Sequence, residues 1–146
     1  MSLDAKSKQV LEALMADSNR TTRQLSKYLA IPATTVHNHK RKLEEEGVIQ
    51  KYVAIPDYKK IDRSIHAYIL ISIKYDSSQE AVGQEEVARQ IKALGASSVS
   101  IVAGDTDIIA QVRVGSIDEL NAFITQRLRG LAGVERTKTL ISLSEE

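Results

Sequence analysis

The sequence has no cysteine, no tryptophan, one phenylalanine and two prolines among its 146 residues. Without cysteine, the chain can form no disulfide, thiolate zinc site or iron–sulfur cluster, and it has no cysteine nucleophile. No apolar run approaches the roughly 18 residues of a membrane span, and the N-terminal sequence lacks the apolar core of a secretory signal. These absences predict a soluble, cytoplasmic protein with no membrane partner.

Motifs of common enzymes are also missing. The sequence has no GxGxxG or GxxxxGK[ST] phosphate loop, no HExxH zinc motif and no GxSxG nucleophile elbow. Its three histidines do not form a metal set, because His37 and His39 are two apart on a predicted helix and His66 begins a predicted strand. We therefore expect no catalytic residue, no metal and no cofactor, and we keep an enzyme only as a distant alternative.

The charge is unevenly distributed along a chain whose composition is that of a folded protein, with 42% hydrophobic residues. Residues 1–63 carry 12 basic and 8 acidic side chains, whereas residues 64–146 carry 8 and 11, so the halves have opposite net charge. No acidic residue lies between Asp17 and Glu44, a stretch that contains six lysines and arginines. Such a stretch is typical of a solvated face or of a nucleic-acid-binding surface.

Residues 1–47 predict three short helices. The first covers 4–17 from an N-cap at Asp4, and its apolar stripe consists of Val10, Leu11, Leu14 and Met15. The second runs from a Thr21/Thr22 cap to Ala30, and the third from Pro32 to Gly47. Small residues at Ser26 and Ala30 favour the close crossing of a helix-turn-helix, although a plain three-helix bundle stays open as an alternative.

An extended linker over 48–64 precedes a second predicted domain over 65–146. Period-two alternation predicts four strands, over 66–75, 97–103, 107–114 and 134–143. Helical spacing predicts two helices, one over 79–94 and one from a Ser116 cap to the glycines at 130 and 133. The order βαββαβ predicts a ferredoxin-like sandwich with both helices on one sheet face, and the chain is of the α+β class.

The other face of this predicted sheet has no cover within the chain. It would carry a mixed apolar patch of Tyr68, Leu70, Val102, Ile109 and Leu140. Burying a few such side chains stabilises an interface by several kcal/mol, at about 25 cal/mol per Å² of apolar surface. A mixed apolar patch of this size is seldom left exposed to water. We therefore expect a homodimer that forms through the sheets.

Three pieces of sequence, in order, resemble the Lrp/AsnC family of bacterial and archaeal regulators. They are RTTRQLSKYLAIPATTVHNHKRKLEEEGVIQKYVA (20–54), GDTD (104–107) and GVERTKTLISL (133–143). The resemblance spans nearly the whole chain and implies a DNA-binding domain, a linker and a C-terminal effector-binding domain of the RAM type. It also implies a dimer that assembles into a higher even-numbered oligomer such as an octamer.

The chain departs from the family pattern at the second and third helices. His39 and Lys40 stand where an arginine and an aliphatic residue are usual, so the stem of Lys40 must fill the helix seam or that position must shift outward. Ala30 replaces the usual turn glycine, and Pro32 replaces a common serine cap.

The candidate DNA-binding residues fall into two groups. Those expected to contact phosphates are Arg20, Arg23, Lys27 and Lys42. Those expected at base edges are Thr34, Thr35, His37, Asn38 and Arg41, and the surface is completed by Thr22 and Ala33. We expect His39, like His37, to be solvated or to face DNA.

The resemblance also implies an effector site at the loop of Gly104, Asp105, Thr106 and Asp107, with Thr137 and Thr139 as neighbours. Backbone N–H groups suit the carboxylate of a free amino acid, and an aspartate suits its ammonium. Without the resemblance, the loop is an ordinary tight hairpin and the threonines are ordinary strand residues on a half-exposed face. Together these features predict a sequence-specific, nucleoid-associated transcription regulator that responds to an amino acid. The alternative is a non-specific architectural DNA-binding protein without an effector.

Overall fold

The structure is a computed structural model that describes residues 2–75 and 82–145. The chain forms two compact units, Met1–Ile55 and Pro56–Glu146. The first is helical and the second holds an antiparallel sheet with helices, so the predicted α+β class is confirmed. The domain limits proposed from the sequence, with a linker over 48–64, stay a prediction. No helix in the described ranges is long and apolar enough to cross a membrane.

The first unit contains three helices: α1 (Ala5–Ala16), α2 (Thr22–Leu29) and α3 (Ala33–Glu45). The Asp4 carboxylate caps α1 by accepting from the Ser7 N–H, and Thr21 caps α2 in a capping box with Gln24. Pro32 occupies the N-cap of α3 and makes no side-chain cap bond. These helix starts were predictable because capping chemistry is local.

A tight turn joins α2 to α3 without the usual glycine. Ala30 adopts the left-handed conformation, with φ of 54°, which disfavours a residue with a Cβ. The Ser26 hydroxyl donates to the Ile31 carbonyl oxygen at 2.6 Å. Ser26 therefore supplies a hydrogen bond that closes the turn as well as the small side chain that the sequence indicated.

The core of the first unit lies where the three helices meet. Its buried side chains include Val10, Leu14, Leu25, Val36 and Leu43. The prediction for Met15 is wrong, because its side chain is 77% exposed. Ser7 and Ala13 are buried on the inner face of α1 instead, so the stripe that faces the core is narrower and less apolar than its sequence suggests.

Within its described residues, the second unit has four strands and four helical elements. In chain order they are a 3₁₀ turn (Tyr58–Ile61), β1 (Ile65–Ile73), α4 (Gln84–Ala93), β2 (Ser98–Ile101), β3 (Ile108–Val114), α5 (Ile117–Ala122), a π-helical turn (Phe123–Leu128) and β4 (Val134–Ile141). The sheet order is β2-β3-β1-β4, and the predicted ferredoxin-like arrangement is confirmed.

Several elements are shorter in the structure than predicted from the sequence. β1 ends at Ile73, beside a register shift against β4, and the edge strand β2 ends at Ile101. α4 begins at Gln84, whereas the predicted start at 79–81 lies outside the described residues. The last helix passes into the π-helical turn, which no spacing in the sequence indicated.

The two faces of the sheet differ as the alternation predicted. Ala67, Ile69 and Ile71 of β1 are fully buried in the core cluster to which α4 and α5 contribute. Tyr68 and Leu70 point to the other face and are half-buried. The register places Gln111 and Leu140 opposite Tyr68, and Ile109 and Lys138 opposite Leu70. The predicted patch on this face is therefore present for Tyr68, Leu70, Ile109 and Leu140, whereas the predicted member Val102 lies beyond the end of β2.

Candidate DNA-binding and effector sites

α3 has a buried stripe and an opposite exposed stripe. Val36 and Leu43 are fully buried. At 100° per residue the opposite side of the helix carries Thr34, Asn38 and Arg41, which are all exposed. Ala33 and His37 are also exposed, whereas Thr35 is half-buried at the margin. The structure thus brings the predicted base-reading residues to one side of α3.

Arg41 is tethered but remains on the surface. Its Nε donates to Glu45 Oε1 at 2.6 Å, one turn further along the helix. This bond raises the pKa of Arg41 above its usual value. Exposed pairs of this kind contribute about 0.3–0.5 kcal/mol, so the guanidinium can exchange Glu45 for another acceptor at small cost.

The predicted phosphate-contacting residues differ in exposure and in the contacts they make within the chain. Arg23 and Lys27 are exposed on α2. Arg20 instead lies over the ring of Tyr28 at 4.2 Å and has its Nε 3.4 Å from an Asp17 oxygen. Thr22 is half-buried at the start of α2.

Lys42, the fourth predicted phosphate contact, has an acidic neighbour within the first unit. Its Nζ lies 3.5 Å from Asp4 Oδ2. Arg20 and Lys42 therefore each have part of their charge offset by an aspartate, which local sequence could not reveal for Lys42 because Asp4 lies on a different element.

The expectation that His39 is solvated or faces DNA is wrong. Its Nδ1 lies 2.9 Å from Ser7 Oγ on α1, and the side chain is only 21% exposed. Lys40 is half-buried beside it, with Nζ 5.1 Å from the ring centroid of Tyr52. Of the two unusual residues, His39 therefore contacts α1 through a hydrogen bond, and Lys40 is only half-buried beside it.

Tyr52 is a contact that the sequence did not reveal. Its hydroxyl donates to Glu44 Oε1 at 2.6 Å. Partial burial and the adjacent Glu44 raise the pKa of Tyr52 to about 12. The residue ties the segment after α3 back onto that helix, close to Lys40.

The GDTD loop joins the end of β2 to the start of β3. Gly104 has φ of 144°, a conformation that favours glycine. Asp105 is exposed, and the Thr106 hydroxyl donates to the Ile71 carbonyl oxygen at 3.1 Å. The loop is therefore fastened to β1 through Thr106, while Asp105 faces solvent.

Asp107 is the most heavily bonded residue of the loop. Its Oδ1 accepts from the Tyr75 hydroxyl at 2.6 Å, and its Oδ2 accepts from the Ile73 N–H at 2.8 Å. These two bonds, in that order, lower the pKa of Asp107, and the bond to Asp107 raises the pKa of Tyr75. Gln84 Nε2 also lies 3.4 Å from Oδ1. The carboxylate predicted for a ligand ammonium already has donors from the chain, and sequence reasoning missed Tyr75 and Gln84.

The two predicted threonines of β4 lie on the helix side of the sheet. The register places Thr137 opposite Ile71 and Thr139 opposite Ile69. Thr137 accepts from Arg129 Nε at 3.3 Å. Since Ile71 also pairs with β3 at Ile108, Thr137 is two strand spacings, about 10 Å, from the end of the GDTD loop. Thr139 is further along the strand.

A second polar cluster lies at the opposite end of β1. The Arg113 guanidinium lies over the ring of Tyr58 at 3.7 Å and donates to both oxygens of Glu145, at 2.8 and 3.0 Å. His66 is buried and bonds the same carboxylate through Nδ1. Arg113 and then His66 lower the pKa of Glu145. This cluster fastens the 3₁₀ turn and the C-terminal segment to the sheet.

The structure contains no metal-binding cluster in the ranges it describes. Among residues 2–75 and 82–145, no group of three or more His, Asp or Glu side chains could hold a metal ion.

Two family models match the chain, and each covers one domain. A winged helix-turn-helix DNA-binding model matches residues 3–50, and an Lrp/AsnC ligand-binding-domain model matches residues 66–146. Residues 2–55 of the structure contain only the three helices as regular elements, so the first domain has no strand-built wing within that range.

Similar proteins extend over nearly the full length of the chain. An uncharacterised HTH-type transcriptional regulator of Pyrococcus furiosus is 40% identical over 141 residues, which cover 96% of this chain and 92% of the relative. An HTH-type transcriptional regulator of Pyrococcus horikoshii is 31% identical over 141 residues, covering 97% and 89%.

Solved structures share the fold at lower sequence identity. A transcriptional regulator of Neisseria meningitidis, solved as a complex with L-Met, has a TM-score of 0.88 at 21% identity, covering 99% of this chain and 92% of its own. The E. coli AsnC structure has a TM-score of 0.82 at 20% identity, covering 99% and 95%. The chain therefore belongs to the Lrp/AsnC family of transcriptional regulators, with a helix-turn-helix DNA-binding domain and a ligand-binding domain.

Proposed function

We propose that the protein is a sequence-specific regulator that reads double-stranded DNA with α3 in the major groove. The exposed stripe of Thr34, Asn38 and Arg41, opposite the buried Val36 and Leu43, carries this proposal. An asparagine amide pairs well with adenine and an arginine fork with guanine. Thr35 and His37, and the small Ala33, flank the stripe as further candidate contacts.

The phosphate contacts in this proposal rest mainly on two exposed cations of α2, Arg23 and Lys27. Arg23 and Lys27 are exposed and would each add about −0.9 to the slope of log K against log salt. Arg20 and Lys42 add less, since each already faces an aspartate. Thr22, at the start of α2, would contribute a neutral donor.

The experiment is selection of bound duplexes from a random pool, followed by titration of the selected duplex and a shuffled one. Arg41→Ala should remove about 1–3 kcal/mol of discrimination. Arg89→Ala is the matched control, because Arg89 is an exposed helix arginine that pairs with Glu86 at 2.9 Å, as Arg41 does with Glu45. Equal binding of all duplexes would favour the non-specific architectural alternative.

We infer further that the ligand-binding domain takes a free amino acid at the GDTD loop. The family model and the L-Met complex of the Neisseria relative support this inference. Gly104 and Asp105 would offer backbone donors to the carboxylate, and Thr137 and Thr139 would be neighbours across β1. Because the Asp107 carboxylate already accepts a hydrogen bond from Tyr75, the ligand ammonium would either bind this carboxylate alongside the Tyr75 hydroxyl or displace that hydroxyl.

A thermal-shift panel of the free amino acids tests this inference. A ligand at about 100 times its Kd stabilises by roughly 2.7 kcal/mol, which is readily seen as a rise in Tm. A selective rise with one or a few amino acids would support the site. No rise with any amino acid would contradict an amino-acid effector.

We propose that the protein is a homodimer through the open sheet face and a building block of a higher even-numbered oligomer, such as an octamer. The half-buried Tyr68, Leu70 and Ile109 on that face, with Leu140 at 46% exposure, support it. Sedimentation equilibrium at micromolar concentration tests it. A monomer mass would contradict the proposal.

A further inference from the structure

A partly buried polar contact joins the middle of α3 to the first turn of α1. His39 lies between the fully buried Val36 and Leu43 along α3, in a row that otherwise packs through apolar side chains. Its partner, Ser7, is fully buried and lies near the start of α1. Since buried polar atoms are normally hydrogen-bonded, the 2.9 Å separation of His39 Nδ1 and Ser7 Oγ is a specific bond.

The direction of this bond follows from counting protons. Ser7 has one hydroxyl proton and two neighbours that could accept it, Asp4 Oδ2 and His39 Nδ1, each at 2.9 Å. Backbone and hydroxyl bonds from Ser7 lower the pKa of Asp4 to about 2, so that its carboxylate is ionised at neutral pH and can only accept. A bond to a charged acceptor is stronger than one to a neutral imidazole nitrogen. Ser7 therefore donates its hydroxyl proton to Asp4, and its oxygen accepts a hydrogen bond from the Nδ1–H of His39.

We propose that His39 is a positioning residue for DNA recognition, which carries its proton on Nδ1, donates to Ser7 and thereby fixes the middle of α3 against α1. This inference rests on the proposed reading of DNA by α3. Asn38 and Arg41 lie one and two positions from His39 along α3, and both are exposed. Any shift or rotation of α3 at His39 therefore moves both candidate base contacts together.

Two substitutions of His39 separate the effect of its hydrogen bond from the effect of its packing. An asparagine places its amide nitrogen where the imidazole has Nδ1, so His39→Asn keeps a donor toward Ser7. A leucine fills the seam with apolar volume but donates nothing, and Ser7 keeps its bond to Asp4 in that variant. If His39 only filled space, DNA affinity would depend on the apolar volume at position 39. In the proposed role, DNA affinity depends on whether residue 39 donates a hydrogen bond to Ser7.

The first measurement is a ¹H–¹⁵N spectrum of the histidine rings in the full-length protein. It should show His39 protonated at Nδ1. An unprotonated Nδ1 at neutral pH would overturn the proposal, and this result does not depend on any DNA ligand.

The second measurement is the affinity of each variant for the selected duplex, at a temperature where thermal melts show every variant folded. The affinity of His39→Leu should fall by about threefold to tenfold, which corresponds to one net hydrogen bond. The affinity of His39→Asn should stay within about twofold of wild type. In the double-mutant cycle, Ser7→Ala should lower the affinity less in the His39→Leu background than in wild type, because the Ser7–His39 bond is already absent there and only the Ser7–Asp4 bond is left to lose. Wild-type affinity of His39→Leu, or equal losses with leucine and asparagine, would overturn the proposal.

Failure of the proposed function has a different signature. If wild-type protein binds selected and shuffled duplexes equally, the reading of DNA by α3 is wrong, and the positioning role is wrong with it. The ring spectrum and the double-mutant cycle measured on unfolding free energy would still report the Ser7–His39 bond, so the two failures are distinguishable.

Discussion

Replacing Asp107 should destabilise the second domain in the absence of any ligand. The Ile73 N–H donates to Asp107, and Ile73 is 3% exposed, so Asp107→Ala leaves a buried donor without an acceptor at a cost of about 1–3 kcal/mol. Loss of the bond from the exposed Tyr75 adds about 0.5 kcal/mol. We expect the free energy of unfolding to fall by about 1.5–3.5 kcal/mol, and by about 1 kcal/mol in Asp107→Asn, which keeps an acceptor oxygen for Ile73.

The asparagine variant also gives a pH dependence with a definite sign. The pKa of Asp107 is lowered in the folded protein from its ordinary value of 3.8. The stabilisation from the charged carboxylate is therefore fully present above 3.8 and is lost as the pH falls through the lowered folded-state pKa. The stability advantage of wild type over Asp107→Asn should be constant from pH 7 to 5 and shrink in the acid range below.

Two assays check these expectations. Urea unfolding followed by far-UV circular dichroism measures the free energies, with Asp105→Ala as the control for loss of an exposed loop carboxylate. Amide exchange measures the Ile73 N–H itself, whose protection should fall by about tenfold for each 1.4 kcal/mol lost from its opening free energy. If Asp107→Ala unfolds at the wild-type urea concentration and leaves Ile73 equally protected, the reasoning about this carboxylate is wrong.

Four further substitutions test other parts of the protein. Ala30→Gly should stabilise the first domain by about 0.5–1 kcal/mol in thermal melts, because Ala30 has a left-handed φ, and a destabilised variant would contradict this. Gly115→Ala should destabilise the second domain by about 1–3 kcal/mol, since a Cβ there would lie 2.5 Å from the Asp62 carbonyl oxygen; unchanged urea unfolding would count against it. Leu70→Lys should weaken the dimer in sedimentation, and an unaltered dimer would place the interface elsewhere. Lys27→Ala should reduce the salt slope of DNA binding by about 0.9 and weaken selected and shuffled duplexes equally, whereas a loss confined to the selected duplex would assign it to base reading.

The sequence predicted what depends on local chemistry. Caps at Asp4, Thr21 and Ser116 were identified correctly, because each side chain bonds an N–H three residues later. The alternation from Ala67 to Ile73 predicted the buried face of β1 because strand side chains alternate between faces.

Features that depend on distant residues were missed. Asp107 meets Tyr75 across 32 positions, Ser7 meets His39 across 32, and His66 meets Glu145 across 79. No periodicity encodes such pairings, since they arise only after the strands and helices pack. For this reason sequence reasoning placed His39 in solvent or against DNA and did not identify Tyr75 or Gln84 as neighbours of Asp107.

In the proposed function, the protein recognises a DNA sequence and an amino acid adjusts that recognition. Both parts are tested together by the affinity for the selected duplex, measured with and without the amino acid that raises the Tm. We expect the affinity to change by about 5- to 150-fold, the usual range of allosteric coupling, and by reciprocity we expect an equal change in ligand affinity when the duplex is bound. An affinity that is the same with and without every amino acid would contradict the proposed regulation.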